Sequence, residues 1–286
     1  MIEIILLVLI VLGFIAIITA SIQDLKKREV DNWISFSLII FALGFRFFYS
    51  LFNESFNSMN LFYQGLIGLG IFFVIGNILY YGRVFAGGDA KLMIALGAVL
   101  PLSVLFKNNL NFYILFLILF LVMGSIYGLI WSFFLAIRNK KIFAKEFMKQ
   151  FRNNKKLMNI IFIFSLVIMA IGLMFDKLIY YLGVIFFLLP YIYLYAKTID
   201  EACMIKKVKI SKLTEGDWLY KNIKIGRKMI KSKWEGVSRK EIETLKRKKN
   251  FVEIREGIPF VPVFFFTFLI WVWIYLGYSS WQPNFF

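Results

Sequence analysis

The chain opens MIEIILLVLIVLGFIAIITA, Met1 to Ala20, a run in which Glu3 is the one charged side chain. A helix needs about 20 predominantly apolar residues to cross the hydrocarbon core of a bilayer. No basic stretch precedes the run, so it reads as a span kept in the chain rather than a cleaved signal. Comparable runs recur along the sequence. Of the 286 residues, 60% are hydrophobic, against roughly 45–50% in soluble domains. The predicted spans are 2–23, 33–52, 60–81, 90–106, 111–137, 157–175, 178–196 and 258–278. The expected fold is therefore an all-α polytopic membrane helix bundle of about eight transmembrane helices. A small α+β cytoplasmic domain is expected beside it.

The distribution of charge orients the bundle. The formal net charge is +17, which in a soluble protein would suggest nucleic acid as a partner. Topology accounts for it without one. If the N-terminus lies outside, the inner segments 24–32, 82–91, 138–156 and 197–257 hold 31 of the 34 Lys and Arg residues. Cytoplasmic loops carry that excess in membrane proteins. Lys107 and Lys177 fall outside. Arg46 falls within a span and is expected to snorkel toward the outer headgroups.

Five segments follow. Residues 1–137 form a bundle of five helices. Residues 138–156 hold eight basic residues against Glu146 alone, with Phe143, Phe147, Met148 and Phe151 at helical spacing. This pattern suits an amphipathic helix on an anionic lipid surface, and equally a solvated connector. Residues 157–196 form a transmembrane hairpin turning at Asp176-Lys177. Residues 197–257 form the α+β module. Within it 206–210 and 218–225 alternate as strands do, Ser238 and Glu241 make a capping box, and 251–254 reads as a short strand. Residues 258–286 hold the last span, which starts at Pro259 and Pro262. It ends in Trp271, Trp273, Tyr275, Tyr278 and Trp281, read as an aromatic belt.

Chemistry has few side chains to use. Histidine is absent and Cys203 is the one cysteine. Catalytic triads, His-ligated metals and structural zinc are thereby excluded, and neither a metal nor a cofactor is expected. Carboxylates near predicted inner span ends remain: Asp24, Glu29, Asp31 and Asp89. Asp24 follows the first span. Asp89 follows Gly87-Gly88 where the third span gives way to the fourth, so both acids lie at one depth. Two adjacent carboxyls resist double ionisation, so one can activate water while the other donates to a scissile carbonyl. Gly87 and Gly88 permit close substrate approach. On these residues alone, an Asp that merely caps a helix after a Gly-Gly loop is the commoner reading.

The combination narrows this. Asp24, a basic stretch, Val30-Asp31-Asn32-Trp33, and later Gly87-Gly88-Asp89-Ala90-Lys91-Leu92 resemble the prepilin peptidase family, membrane aspartic proteases with a GxGD-type motif. Gly257–Phe264 resembles the C-terminal segment of the family's archaeal branch. Ala86 stands where the motif's first glycine is expected. The resemblance implies Asp24 and Asp89 as the catalytic pair, with Asp31 as a substitute for the first acid. It places Gly87, Gly88 and Lys91 in the motif beside the substrate. It further implies an aspartic endopeptidase of the cell membrane, multi-pass, with its site facing the cytoplasm. Such an enzyme removes the short basic leader of pilin-like or archaellin precursors. Two other readings were open: a transporter or channel, for which glycines 65, 68, 70 and 76 would serve helix packing, and a non-catalytic membrane assembly protein working through 197–257.

Overall fold

The computed structural model describes residues 2–52, 58–225, 228–246 and 250–281. It divides into two units, Met1–Leu129 with Ile258–Phe286, and Ile130–Gly257. Among the described residues six helices are long and apolar enough to cross a membrane, against about eight expected. They belong to α1 (Ile2–Lys27), α2 (Asn32–Phe52), α3 (Ser58–Tyr81), α5 (Phe106–Arg138), α7 (Lys155–Phe175) and α8 (Lys177–Thr198). Between α3 and α5 lies α4 (Gly87–Gly97), and α10 (Pro262–Trp281) closes the chain.

The predicted fourth span is corrected. Its helix, α4, has only 11 residues, about 16 Å of rise, roughly half the hydrocarbon thickness. The sequence misleads because residues 92–100 are apolar throughout, as a span is, yet they are apolar because they are core. Leu92, Met93, Ala95 and Leu96 have no exposed surface. The helix stops ahead of Pro101, which has no N–H to give and restricts the residue before it. Gly68 on α3 and Gly97 on α4 bring the two backbones into direct contact. A Cβ on either would strike the other's carbonyl.

The chain from Ala98 onward is non-helical and buried, so its polar groups need partners inside the protein. Arg46 supplies most of them. It is wholly buried, and the expectation that it snorkels is overturned. Its Nε donates to the Ala98 carbonyl at 3.1 Å, and its Nη2 to Val99 at 3.2 Å and Pro101 at 2.5 Å. Nη1 donates to the Leu61 carbonyl of α3 at 3.0 Å. A cation is favoured at the carbonyl end of a helix, and burial with a full set of acceptors costs less than burial without them. Asn109 continues the network. It accepts from Ser103 N–H at 2.9 Å and donates to the Ser103 carbonyl at 2.7 Å and to Gln64 at 3.0 Å.

The last helix also departs from expectation. Trp271 and Tyr275 lie in the core, and Trp271 donates its indole N–H to the Phe112 carbonyl at 3.0 Å. Of the predicted aromatic belt, Trp273 is 75% exposed. Tyr278 and Trp281 have side chains outside the described residues. Phe264, Phe268 and Trp271 pack with Leu9 and Ile17 of α1, Phe72 of α3 and Phe116 of α5 in one cluster.

In the second unit α7 and α8 meet at Asp176, whose carboxylate accepts the Leu178 N–H at 2.9 Å and so caps α8. The basic helix α6 (Lys140–Asn153) sets Phe143 against Tyr195 of α8, ring centroids 5.7 Å apart. A π-turn, Ile199–Cys203, leads into the module. There β1 (Ile205–Lys209), β5 (Phe251–Arg255) and β2 (Trp218–Leu219) form an antiparallel sheet in the order β1-β5-β2. The hairpin β3 (Ile223–Ile225) and β4 (Lys228–Ile230) stands apart, so the predicted strand 218–225 is two strands. Val252 and Ile254 point inward and Phe251 and Glu253 outward, the period of a half-buried strand. Glu241 accepts from the Ser238 N–H at 2.9 Å, opening α9 (Arg239–Lys246) as a capping box does. The predicted end of this helix, near 249, lies outside the described residues.

Replacing Arg46 by Ala strips four carbonyls of a donor and leaves a cavity. A loss of at least about 3 kcal/mol is expected, with Arg46→Lys losing less because it keeps three donors. Thermal unfolding in detergent reads this as Tm values ordered wild type, Lys, Ala. Equal values for all three would show that the guanidinium does not hold the turn.

Candidate active site

Asp24 sits in the last turn of α1. Helical bonding ends at Arg28, which adopts a left-handed φ of 61° while its N–H still reaches the Asp24 carbonyl at 2.9 Å. This is the ordinary way a helix closes its C-terminus, though usually with glycine. The Asp24 side chain turns inward, 7% exposed. Its Oδ2 accepts the N–H of Val261 at 3.0 Å, from a residue 237 positions away. Val261 precedes Pro262, the first residue of α10, so this N–H is among those that a helix start leaves without a partner. The carboxylate of α1 thus caps α10. The Pro259–Pro262 segment was legible only as a helix opening; its tie to Asp24 was not.

Asp89 lies in the first turn of α4, 9% exposed. Ala86, at the N-cap, is extended and makes no side-chain cap bond. Asp89 reaches back to the Ala86 backbone, half of a capping box. The cap reading and the acid reading are therefore not exclusive. Burial first, and the nearby charge of Asp24 second, push the Asp89 carboxyl up to about 7, with the Ala86 contact offsetting part of this. The Asp24 charge thus reaches Asp89 although the two lie 65 positions apart in sequence. Around them Phe85, 2% exposed, packs edge-on to Phe120 at 5.6 Å and touches Phe260 and Phe264 at 6.2 Å. The pair has a dry aromatic wall.

The motif glycines differ from each other. A Cβ on Gly87 would meet only the Tyr80 ring, at 3.8 Å, whereas one on Gly88 would press on Val30 at 3.2 Å. Gly87 therefore leaves open space, and Gly88 lets the loop after α1 pack down. Lys91 does not figure among the influences on Asp89. Its Nζ donates to the Asn32 side chain at 2.6 Å, tying α4 to the first residue of α2. Asp31, the substitute acid, is exposed and held by Gln23 through two hydrogen bonds, 2.9 and 3.0 Å. Among the influences on Asp89 it does not figure.

Sequence reading missed Tyr127 of α5, which lies within reach of the Asp24 charge, and undervalued Arg28, whose charge acts on Asp24. Tyr127 had a faint signal, a polar-tipped ring in the inner third of an apolar helix. Among the described residues no group of three or more acids, Cys or His could hold a metal ion.

Two buried carboxyls at helix ends of an apolar bundle, one within reach of the other's charge, define a class: membrane proteins with a two-acid centre. The comparisons carry this further, since residues 10–133 match the model of the type IV leader peptidase family. The resemblance drawn from Asp24 and the Gly87–Leu92 segment is borne out at that level. The chain is similar to preflagellin peptidases of Methanocaldococcus jannaschii, 33% identical over 91 residues, and Methanococcus maripaludis, 29% identical over 91. A third, of Methanococcus voltae, is 28% identical over 90 residues. Each match covers 32% of this chain and 37% or 38% of the relative, so the shared stretch spans little over a third of those proteins. No solved structure matches the chain. The transporter and assembly readings find no support among these relatives.

A raised carboxyl works against folding once pH exceeds its unfolded value. The folded state holds the Asp89 proton up to about 7, while the unfolded chain releases it near 4, so stability falls as pH rises from 4 to 7. Asp89→Asn removes this cost, of the order of a few kcal/mol. Its Tm should exceed that of the wild type at pH 8, with the gap closing toward pH 4. A gap independent of pH would refute the assignment.

Proposed function

We propose that this chain is a membrane aspartic endopeptidase that removes the short basic leader of archaellin or pilin-like precursors at the cytoplasmic face. The observation that carries the reading is the pairing of Asp24 with Asp89 inside the very stretch that matches type IV leader peptidases. The relatives' name, preflagellin peptidase, points to a flagellin precursor. The anionic inner leaflet is a second partner, met by α6 with its basic face.

The mechanism follows from the protonation of the pair. Asp24 takes a proton from a water lying between the carboxyls. The hydroxide so formed attacks the scissile carbonyl carbon, and Asp89 gives its proton to the carbonyl oxygen. The tetrahedral diol then collapses: its hydroxyl proton passes to Asp89, the C–N bond breaks, and Asp24 returns its proton to the departing amine. Both carboxyls recover their starting states, as general acid–base catalysis requires.

Orientation follows from charge. With the N-terminus outside, both acids lie at the inner face beside 31 of the 34 basic residues. The broken passage of α4 with residues 98–105, and α10, would bring eight passes out of six long helices. A precursor presents its leader in the cytoplasm and its apolar helix in the bilayer, so the cut falls at that same face.

The test is processing of a tagged archaellin precursor in proteoliposomes by wild type, Asp24→Asn and Asp89→Asn. Each Asn variant should cleave at least about 10³-fold more slowly. Surviving cleavage in both would rule the mechanism out. Because the acid is Asp89, kcat/KM should drop about tenfold per pH unit above its value near 7. A flat profile to pH 9 would remove Asp89 from that role.

A further inference from the structure

Three basic residues end α1, and they do not behave alike. Lys26 and Lys27 are exposed. Arg28 is half-buried, and its Nη1 is buried. The backbone at Arg28 is left-handed, φ 61°, while its N–H bonds the Asp24 carbonyl at 2.9 Å. Glycine adopts that conformation freely, whereas a Cβ is crowded there. A residue held under such strain calls for a reason in what its side chain does. The Arg28 charge acts on Asp24 of α1 and on Tyr127 of α5. The guanidinium is therefore turned into the bundle, away from the two lysines before it. Arg83 makes the contrast. It has the same φ, 61°, in the turn after α3, yet it is exposed and does not figure among the influences on either acid.

We propose that Arg28 is the positioning residue that divides the roles of the acid pair: its inward guanidinium holds Asp24 as the ionised, water-activating carboxylate and leaves the shared proton with Asp89. The inference rests on the leader peptidase reading and adds to it the group that assigns base and acid. Two like carboxyls brought together share one proton, and their surroundings decide which keeps it. The groups that face Asp24 come from four elements. They are Arg28 at the end of its own helix, the backbone of Phe260 and Val261 ahead of α10, Tyr127 of α5 and Asp89 of α4. Of these, Arg28 carries a full positive charge. Asp89 is acted on by the Asp24 charge and the Ala86 backbone, and among the described residues no cation figures there. A cation beside one carboxyl and not the other separates two acids of the same chemical type. A glycine at residue 28 would close α1 as well, but it would leave Asp24 without that charge.

The experiment separates the charge from the backbone. Arg28→Gly removes the guanidinium and suits a φ of 61°, so folding should hold, with a Tm in detergent close to that of the wild type. Arg28→Gln removes the charge at an unchanged backbone, and Arg28→Lys keeps a cation. Arg83→Gly makes the same backbone change away from the acids and is the control. Cleavage of a tagged archaellin precursor in proteoliposomes is followed from about pH 4 to pH 9. Arg28→Gly and Arg28→Gln should move the acidic limb of kcat/KM up by about one pH unit, because an Asp without its cation holds its proton to higher pH. The alkaline limb, set by Asp89, should stay near 7. In both variants kcat should fall severalfold with KM unchanged, since part of the enzyme then carries the proton on the wrong acid. Arg28→Lys should restore most of the wild-type profile, and Arg83→Gly should match it throughout. An acidic limb shifted equally in Arg28→Lys and Arg28→Gln overturns the inference, and so does a loss confined to KM, which would make Arg28 a substrate contact. A wild-type profile kept by Arg28→Gly and Arg28→Gln overturns this inference and leaves the peptidase reading standing. Failure of the wild type to cut any precursor would sink both.

Discussion

A guanidinium with no route to water sits among the carbonyls of Leu61, Ala98, Val99 and Pro101. The constraint behind it is general: inside a bilayer every backbone polar group must find its partner within the protein. A continuous helix meets the constraint by itself. A helix that ends at Gly97 does not, and the buried chain beyond it relies on Arg46 and Asn109 to occupy its carbonyls and N–H groups. The charge in turn is tolerable because those acceptors are already in place. Each is unfavourable without the other, which makes the pair a cooperative unit rather than two separate interactions.

Breaking that passage has a consequence for the acids. A full-length span would turn its first residues toward whatever neighbour its overall tilt allowed. A short helix locked at both ends has less freedom. One end of α4 is tied by Gly68–Gly97 backbone contact and the Arg46 network, the other by Lys91 to Asn32 and by Gly88 against Val30. Asp89 is carried between those ties. Asp24 is fixed by a different device, the orphan N–H of Val261. The bundle thus holds two carboxyls near each other in a dry aromatic setting, an arrangement that works against stability, and offsets it with contacts spread over α1, α2, α3, α4 and α10. Strain of this kind is expected where a fold does chemistry.

Much of this was legible in the chain. Apolar runs located the ends of α1, α2, α3, α7 and α8 to within four residues, because transfer into a bilayer is additive over residues and needs no knowledge of neighbours. The capping box at Ser238 and Glu241 was equally local. The acids were found by elimination, with no histidine and a lone cysteine, and by resemblance in the Gly87–Leu92 segment. The errors share one origin. Composition cannot separate a helix that is apolar because lipid surrounds it from one that is apolar because protein does, so α4 passed for a span and Trp271 and Tyr275 passed for interface residues. Charge likewise suggested that Arg46 would reach for headgroups, since its acceptors, 15 to 55 positions away, do not exist as a pattern in one dimension.

What the sequence determined alone was the apolar helices of a membrane chain, their number to within two, and the sheet-bearing region near the C-terminus; it also singled out Asp24 and Asp89 as candidates. These depend on local hydrophobicity, local capping and residue type. Only the tertiary structure decided that the passage after Asp89 is broken, that Arg46 holds the break, and that Val261 caps from across the bundle. Those features depend on which backbone groups lack partners once the helices have packed, and that is a property of the assembled bundle rather than of any segment of it.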